Sequence, residues 1–188
     1  MLLILGAIFL AVLIGFAAGG RLRNLSASRI RWPVLAVVGL LLQVVPGSVN
    51  SEWPFVLLMA SFAFLFAFAL LNRDLPGFWL IVVGIVLNAF IIGINHGMAV
   101  TQSALAASDQ SSTLGALVHG GGAKHHLAGA GDHLVFLADV IPVPNPIHQV
   151  LSVGDVFTYA GVMWFVVASM RRPARKAAPA GEPLEASS

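Results

Sequence analysis

Long apolar runs alternate with short polar ones along this chain. Met1 to Ala18 is apolar without interruption and ends at Gly19-Gly20-Arg21. Further runs extend from Trp32-Pro33 to Val45, from Trp53 to Leu71, from Phe78 to Ile94, and from a point after Pro146 to Met170. A helix needs about 20 residues to cross a hydrocarbon core of about 30 Å. Backbone groups in lipid must bond within their own segment, so each run is expected to be helical. The expected spans are residues 2–18, 32–48, 53–71, 78–95 and 149–170. The second run is short, about 21 Å at 1.5 Å per residue, and is expected to continue a turn past Pro46. Pro33 suits its first turn, where a missing N–H costs nothing. The pattern predicts an all-α integral membrane helix bundle of about five transmembrane helices.

Composition agrees with that reading. Of the 188 residues, 58% are hydrophobic and only 10% are charged, against about 25% charged in a soluble domain. A bilayer supplies the apolar solvent that so few charges could not replace. No cysteine is present, which excludes disulfides, thiolate metal sites and cysteine nucleophiles.

Charge by loop sets the expected orientation. Arg21, Arg23, Arg29 and Arg31 lie between the first two spans, Arg73 between the third and fourth, and Arg171, Arg172, Arg175 and Lys176 after the fifth. With five crossings, nine of the ten basic residues share one side, and Lys124 stands alone on the other. Positive residues favour the cytoplasm, so the N-terminus is expected outside and the C-terminus inside. No basic residue precedes the first run and four follow it, the reverse of a signal peptide, so it reads as an uncleaved anchor. Trp32, Trp53 and Trp79 sit at span ends, as interfacial anchors do. The basic clusters lack interleaved aromatics and need only topology to explain them, so the expected partners are the lipid bilayer and a homo-oligomer or membrane-protein partner, with no nucleic acid. Residues 171–188, poor in large apolar side chains, are expected to form a disordered cytoplasmic tail.

Unusual residues collect in the outward loop, residues 96–148. Five of the six His fall between Asn95 and Pro146. Thr101 to Gly122 reads as a flexible or partly helical linker. From Asp132 to Ile141, apolar residues interleaved with polar ones predict a short amphipathic helix, stopped by Pro142, that lies at the outer interface or re-enters the bundle. His125, Asp132 and Asp139 are seven apart and would share a face if that helix reached back so far. His119, His125, His126 and His133 are candidate metal ligands, although their spacing matches no zinc motif. The same residues suit proton sensing or plain hydrogen bonding.

Polar residues also interrupt the spans. Gln43, Ser61, Asn88, Asn95 and Asp155 are embedded in apolar runs, and Ser152, Asp155 and Tyr159 fall on one helical face. Asp155 lies about 24 Å along the helix from Arg171, near the outer edge of the hydrocarbon. A carboxylate there should face the bundle interior and is a functional candidate; the alternative is an Asp favoured by a helix N-terminus. Gly15/Gly19 and Gly93/Gly97 have spacings that permit close helix contact.

Asn95-His96-Gly97-Met98-Ala99-Val100, Lys124-His125, Leu137-Ala138-Asp139-Val140-Ile141-Pro142 and Ser152-Val153-Gly154-Asp155 together resemble a bacterial membrane family known as domain of unknown function 5317. The resemblance covers the chain from the first span to Met170. It departs at His96 and Ala99, where the family more often carries Gly and Pro. It implies a small polytopic inner-membrane protein, and it implies no activity or cofactor. The candidate ligand-binding residues are Asn95, Lys124, His125, Asp139, Ser152 and Asp155. Three functions are open: a protein binding a ligand or partner in an outward-facing polar pocket, a membrane enzyme with a His/Asp site acting on a lipid-linked substrate, and a transporter or subunit of a membrane complex.

Overall fold

The computed structural model describes residues 2–44, 52–118 and 124–172. It is mostly helical. Five helices are built from the apolar runs: α1 (Leu2–Ala17), α2 (Pro33–Val44), α3 (Trp53–Leu71), α4 (Phe78–Asn95) and α7 (Val153–Arg171). Between α4 and α7 lie β1 (Met98–Val100), α5 (Gln102–Ala107), α6 (Ser111–Val118), β2 (His125–Leu127), β3 (Ile141–Val143) and β4 (Gln149–Leu151). Three helices, α3, α4 and α7, are long and apolar enough to cross a membrane. The other two are apolar but shorter, 16 residues in α1 and 12 in α2.

The five helices pack as a row in the order α1, α7, α4, α3, α2. Successive helices in the chain run in opposite directions. Gln43 Nε2, at the end of α2, donates to Ser61 Oγ in the middle of α3 (3.1 Å). Arg31, before α2, exchanges two backbone bonds with the Asn72 amide after α3 (2.7 and 2.9 Å). His96, capping α4, lies 5.0 Å from the Phe55 ring of α3. The start of α1 donates to Gln149 Oε1 from Leu3 N, and Arg21 N, beyond its end, bonds Met170 O of α7. One end of the row thereby gathers the described residues between His96 and Ser152, and the other gathers Arg21, Arg23, Arg29, Arg31, Arg73, Arg171 and Arg172.

Glycines allow the tightest seam. A Cβ on Gly161 would come within 2.6 Å of Gly77 O, and one on Gly84 within 2.8 Å of Thr158 N. Gly77, the N-cap of α4, and Gly84 within it, like Gly154 and Gly161 on α7, are seven apart, so the antiparallel backbones meet through glycine at two levels. The GxxxG spacings noted above do not form this seam: nothing lies within 4 Å of a Cβ on Gly19, and only Met59 Sδ, at 4.0 Å, near one on Gly93.

Apolar side chains both fill the core and cover much of the outer surface. Phe9, Leu41, Phe90 and Trp164 are exposed, while Ser61, Asn72, Asn88, Ser152 and Ser169 are buried. Large apolar side chains facing out around a polar-seamed interior fit an apolar solvent.

The loop departs from expectation. Residues 132–141 do not form a helix. They contain a single 3₁₀ turn at Val135–Leu137, and Leu134 before it is left-handed (φ 52°). Asp132 Oδ2 is taken by Gly129 N (2.7 Å), which folds a local turn. Pro142 cannot donate a helical bond and disfavours helix at Ile141. The freed backbone pairs at long range instead: Asp139 N donates to Ala99 O (3.1 Å), Thr101 N to Asp139 O (3.2 Å), and β3 joins antiparallel β4. Parallel pairing of β1 with β2 makes a second two-stranded sheet, so the chain is not purely α. Residues 149–151, expected in the fifth span, are strand β4, and α7 begins only at Val153. The stretch expected as a flexible or partly helical linker holds α5 and α6, with Ala104 and Leu105 buried. His119, Gly120-Gly121-Gly122, the continuation of α2 past Pro46, and the tail beyond Arg172 lie outside the described residues.

Candidate functional site

A cavity of about 500 Å³ lies among the helices at the end that carries the loop. Leu40 and Gln43 of α2, Leu58, Phe62 and Leu65 of α3, Ile85, Asn88 and Ile92 of α4, and Thr158 and Tyr159 of α7 contribute to its walls. Its polar end carries Lys124, His125, Asp139, Gln149 and Asp155. Four of the six candidate ligand-binding residues, Lys124, His125, Asp139 and Asp155, therefore converge on one space.

The other two support it from outside. Ser152 is fully buried and is the N-cap of α7. Its Oγ accepts from Asp155 N (3.0 Å) and donates to Asn88 Oδ1 (2.8 Å), while Asp155 Oδ2 accepts from Ser152 N (3.1 Å). Asn88 Nδ2 completes the ring by donating to Asp155 Oδ1 (2.9 Å). Asp155 is thus both a capping-box residue and part of the cavity wall, so its two sequence readings coexist. Asn95 is not in the wall. Its amide accepts from His133 N (2.8 Å) and donates to His133 O (3.0 Å), bracing the loop against the end of α4.

Strand pairing places the acid and the imidazole. Register sets His125 opposite Met98, and a bridge sets Asp139 opposite Val100, so both flank β1. His125 Nε2 lies 3.7 Å from Asp139 Oδ2, beyond hydrogen-bond reach. The Asp139 carboxyl accepts no hydrogen bond among the described residues, and the residue is 7% exposed. Burial, then the nearby Asp155 carboxylate, push its pKa up to about 8. Burial lowers the His125 pKa, with Asp155 opposing and Lys124 and His126 assisting. The His125 side chain remains about half exposed (52%) and borders both cavities. At neutral pH the two groups are therefore a protonated acid beside a neutral imidazole, not an ion pair. Burial also lowers the Lys124 pKa.

The remaining histidines disperse. His126 Nε2 bonds Asp132 Oδ1 (2.7 Å). Burial alone would raise the Asp132 pKa, but the Gly129 N–H and His126 overcome it and hold the carboxyl below its ordinary value. His148 Nδ1 lies 3.3 Å from Ser108 O and 3.9 Å from Asp109 Oδ2. Among the described residues, no three of the His, Asp and Glu side chains gather as metal ligands would. The cluster of candidates His125, His126 and His133 is thus split between the cavity, Asp132 and the Asn95 brace.

A second cavity of about 370 Å³ lies under α5 and α6, lined by Leu105, Gln110, Thr113 and Leu117. His125, Asp139, Gln149 and Val150 line both spaces and form the wall between them. Gln149 was not singled out in the sequence: Gln149-Val150-Leu151 has no polar/apolar alternation, so nothing in it marks a strand with a polar face.

Comparison with known proteins agrees with the family resemblance. A protein of Thermotoga maritima (strain MSB8), itself uncharacterized, is 30% identical over 167 residues, which cover 87% of this chain and 90% of that protein. No solved structure matches the chain. The family of unknown function DUF5317 matches residues 27–167, a stretch that contains α2, α3, α4, the paired loop and most of α7, and the chain belongs to that family.

Proposed function

We propose that this chain is a small polytopic protein of the bacterial inner membrane that binds a ligand or partner in an outward-facing polar pocket. The observation that carries the reading is the convergence of Lys124, His125, Asp139 and Asp155 on one cavity of about 500 Å³, a size and polarity suited to a small molecule. Five antiparallel apolar helices and their exposed apolar surfaces support a membrane setting. The gathering of arginines at the end opposite the cavity supports a cytoplasmic placement for that end, with the N-terminus and the cavity outside. Exposed Trp53 and Trp79, at opposite ends of the row, suit the two interfaces.

Native mass spectrometry of the protein in mild detergent tests the reading. A stoichiometric small-molecule adduct that is lost in Asp139→Asn is the expected result. A bare protein that acquires no adduct from membrane extract would overturn it. Transport is the second reading, favoured by two cavities that meet at one thin wall. It predicts that a solute bound on the loop side crosses into proteoliposomes, which a binding protein would not permit.

A further inference from the structure

The chemistry of the ligand can be taken further, on the footing of the pocket-binding reading above. Three observations bear on it. The helix row does not close on itself: α1 and α2 stand at its two ends, and the extensive helix contacts among the described residues do not include that pair. Yet Ile4 of α1 and both Leu40 and Gln43 of α2 line the cavity, so the cavity faces the gap between them. In a bilayer that gap opens sideways onto acyl chains.

The lining is also divided. Leu58, Phe62 and Leu65 of α3 and Ile85 and Ile92 of α4 give the cavity a mostly apolar wall, interrupted by Asn88, while the charged groups gather at the loop end. A ligand matching both halves has a long apolar part and a polar head.

Lys124 and Asp155 at the polar end have no ion-pair partner among the described residues. The Asp139 carboxyl has no hydrogen-bond partner among the described residues. Asp155 accepts only from the neutral donors Asn88 Nδ2 and Ser152 N. Lys124 forms no ion pair with either carboxyl among the described residues. Asp155, the half-buried Lys124 and the Asp139 acid, which a bound ammonium would favour in its ionised form, do not pair with one another, and a head of both signs would match them.

We propose that the cavity takes a zwitterionic single-chain amphiphile sideways from the bilayer between α1 and α2, its chain along α3 and α4, its ammonium at Asp139 and Asp155, and its anionic group at Lys124.

The test uses the full chain in a maltoside detergent and three probes with the same twelve-carbon chain: lauroyl lysophosphatidylethanolamine, dodecylamine and dodecyl phosphate. Binding is titrated by native mass spectrometry. The zwitterion should bind tightest, at one per chain. Asp139→Asn should weaken the zwitterion and the amine about tenfold, the scale of one charge-assisted hydrogen bond, and spare the phosphate. Lys124→Gln should weaken the zwitterion and the phosphate and spare the amine. Because the chain has no cysteine, a Leu40→Cys variant should react with N-ethylmaleimide and be protected by the bound zwitterion. Equal or tighter binding of dodecyl phosphate to the unaltered chain, or no protection of Leu40→Cys, would overturn the proposal without any need for a folded charge variant. If all three probes fail while a water-soluble adduct still copurifies, this proposal falls and the pocket reading stands. If no adduct of any kind is found, both fall.

Discussion

Replacing Ser152 by Ala tests whether the polar ring between α4 and α7 holds the cavity together. The change removes the Oγ that accepts from Asp155 N and donates to Asn88 Oδ1. Loss of a helix N-cap costs about 1 kcal/mol. Leaving the buried Asn88 carbonyl without its donor costs about 1–3 kcal/mol more, although hydrogen bonds within membrane bundles average nearer 0.6 kcal/mol. Weighing these, the expected loss is about 2–3 kcal/mol, which for a chain of this size lowers the unfolding midpoint by roughly 4–12 °C. The assay is thermal unfolding in mild detergent followed by helical circular dichroism. Ser26→Ala is the control, because its exposed hydroxyl bonds only Arg23 O nearby (2.7 Å) and should change stability by less than about 0.5 kcal/mol. A Ser152→Ala midpoint no lower than that of Ser26→Ala would refute the claim that this ring stabilises the fold. An unchanged midpoint with altered ligand binding would move Ser152 from a bracing role to a binding one.

Gly161→Ala should lose about 1–3 kcal/mol through overpacking against Gly77 O and Ile81, whereas Gly115→Ala, with nothing within 4 Å of the new Cβ, should gain about 0.5–1 kcal/mol; denaturation of the two variants side by side checks the contrast. Asp139 keeps its proton in the folded chain up to about pH 8 and releases it near pH 4 when unfolded, so its contribution is complete below pH 4 and is lost as pH rises to 8. Asp139→Asn should therefore flatten the stability profile across that window, and an unchanged slope would remove the raised acid from the account. Asp132 has the opposite sign: its lowered pKa contributes stability above pH 4 that is lost on acidification, and His126→Ala should shrink that acid-side loss in pH-dependent unfolding. Single cysteines at Ser111 and Ser26, introduced into this cysteine-free chain, should report opposite sides: in intact cells an impermeant thiol reagent should label the first and not the second, and the reverse pattern would invert the proposed orientation.

The chain itself determined the helices and the choice of residues worth watching. Apolar runs long enough to propagate helix are a local property, so α1, α3 and α4 began and ended within a residue or two of expectation. Asp155 could be found because one carboxylate in an apolar run is costly wherever the run folds. Lys124 could be found because it stands apart from every other basic residue in the chain. What only the tertiary structure decided depends on partners distant in sequence. The segment from Asp132 to Ile141 has helical periodicity, yet pairing with Ala99 and Leu151 supplies its backbone with hydrogen bonds that a proline-limited helix could not. That pairing is what carries Asp139 to His125 and separates both from Asp132 and His126. Asn95, as plausible a wall residue as Asn88 by depth, was diverted to His133 because it lies at the end of α4, where the loop backbone needs a partner. The glycine seam at Gly77, Gly84, Gly154 and Gly161, and the gap left between α1 and α2, belong to the order in which the helices pack, and periodicity along one helix carries no record of which neighbour it meets.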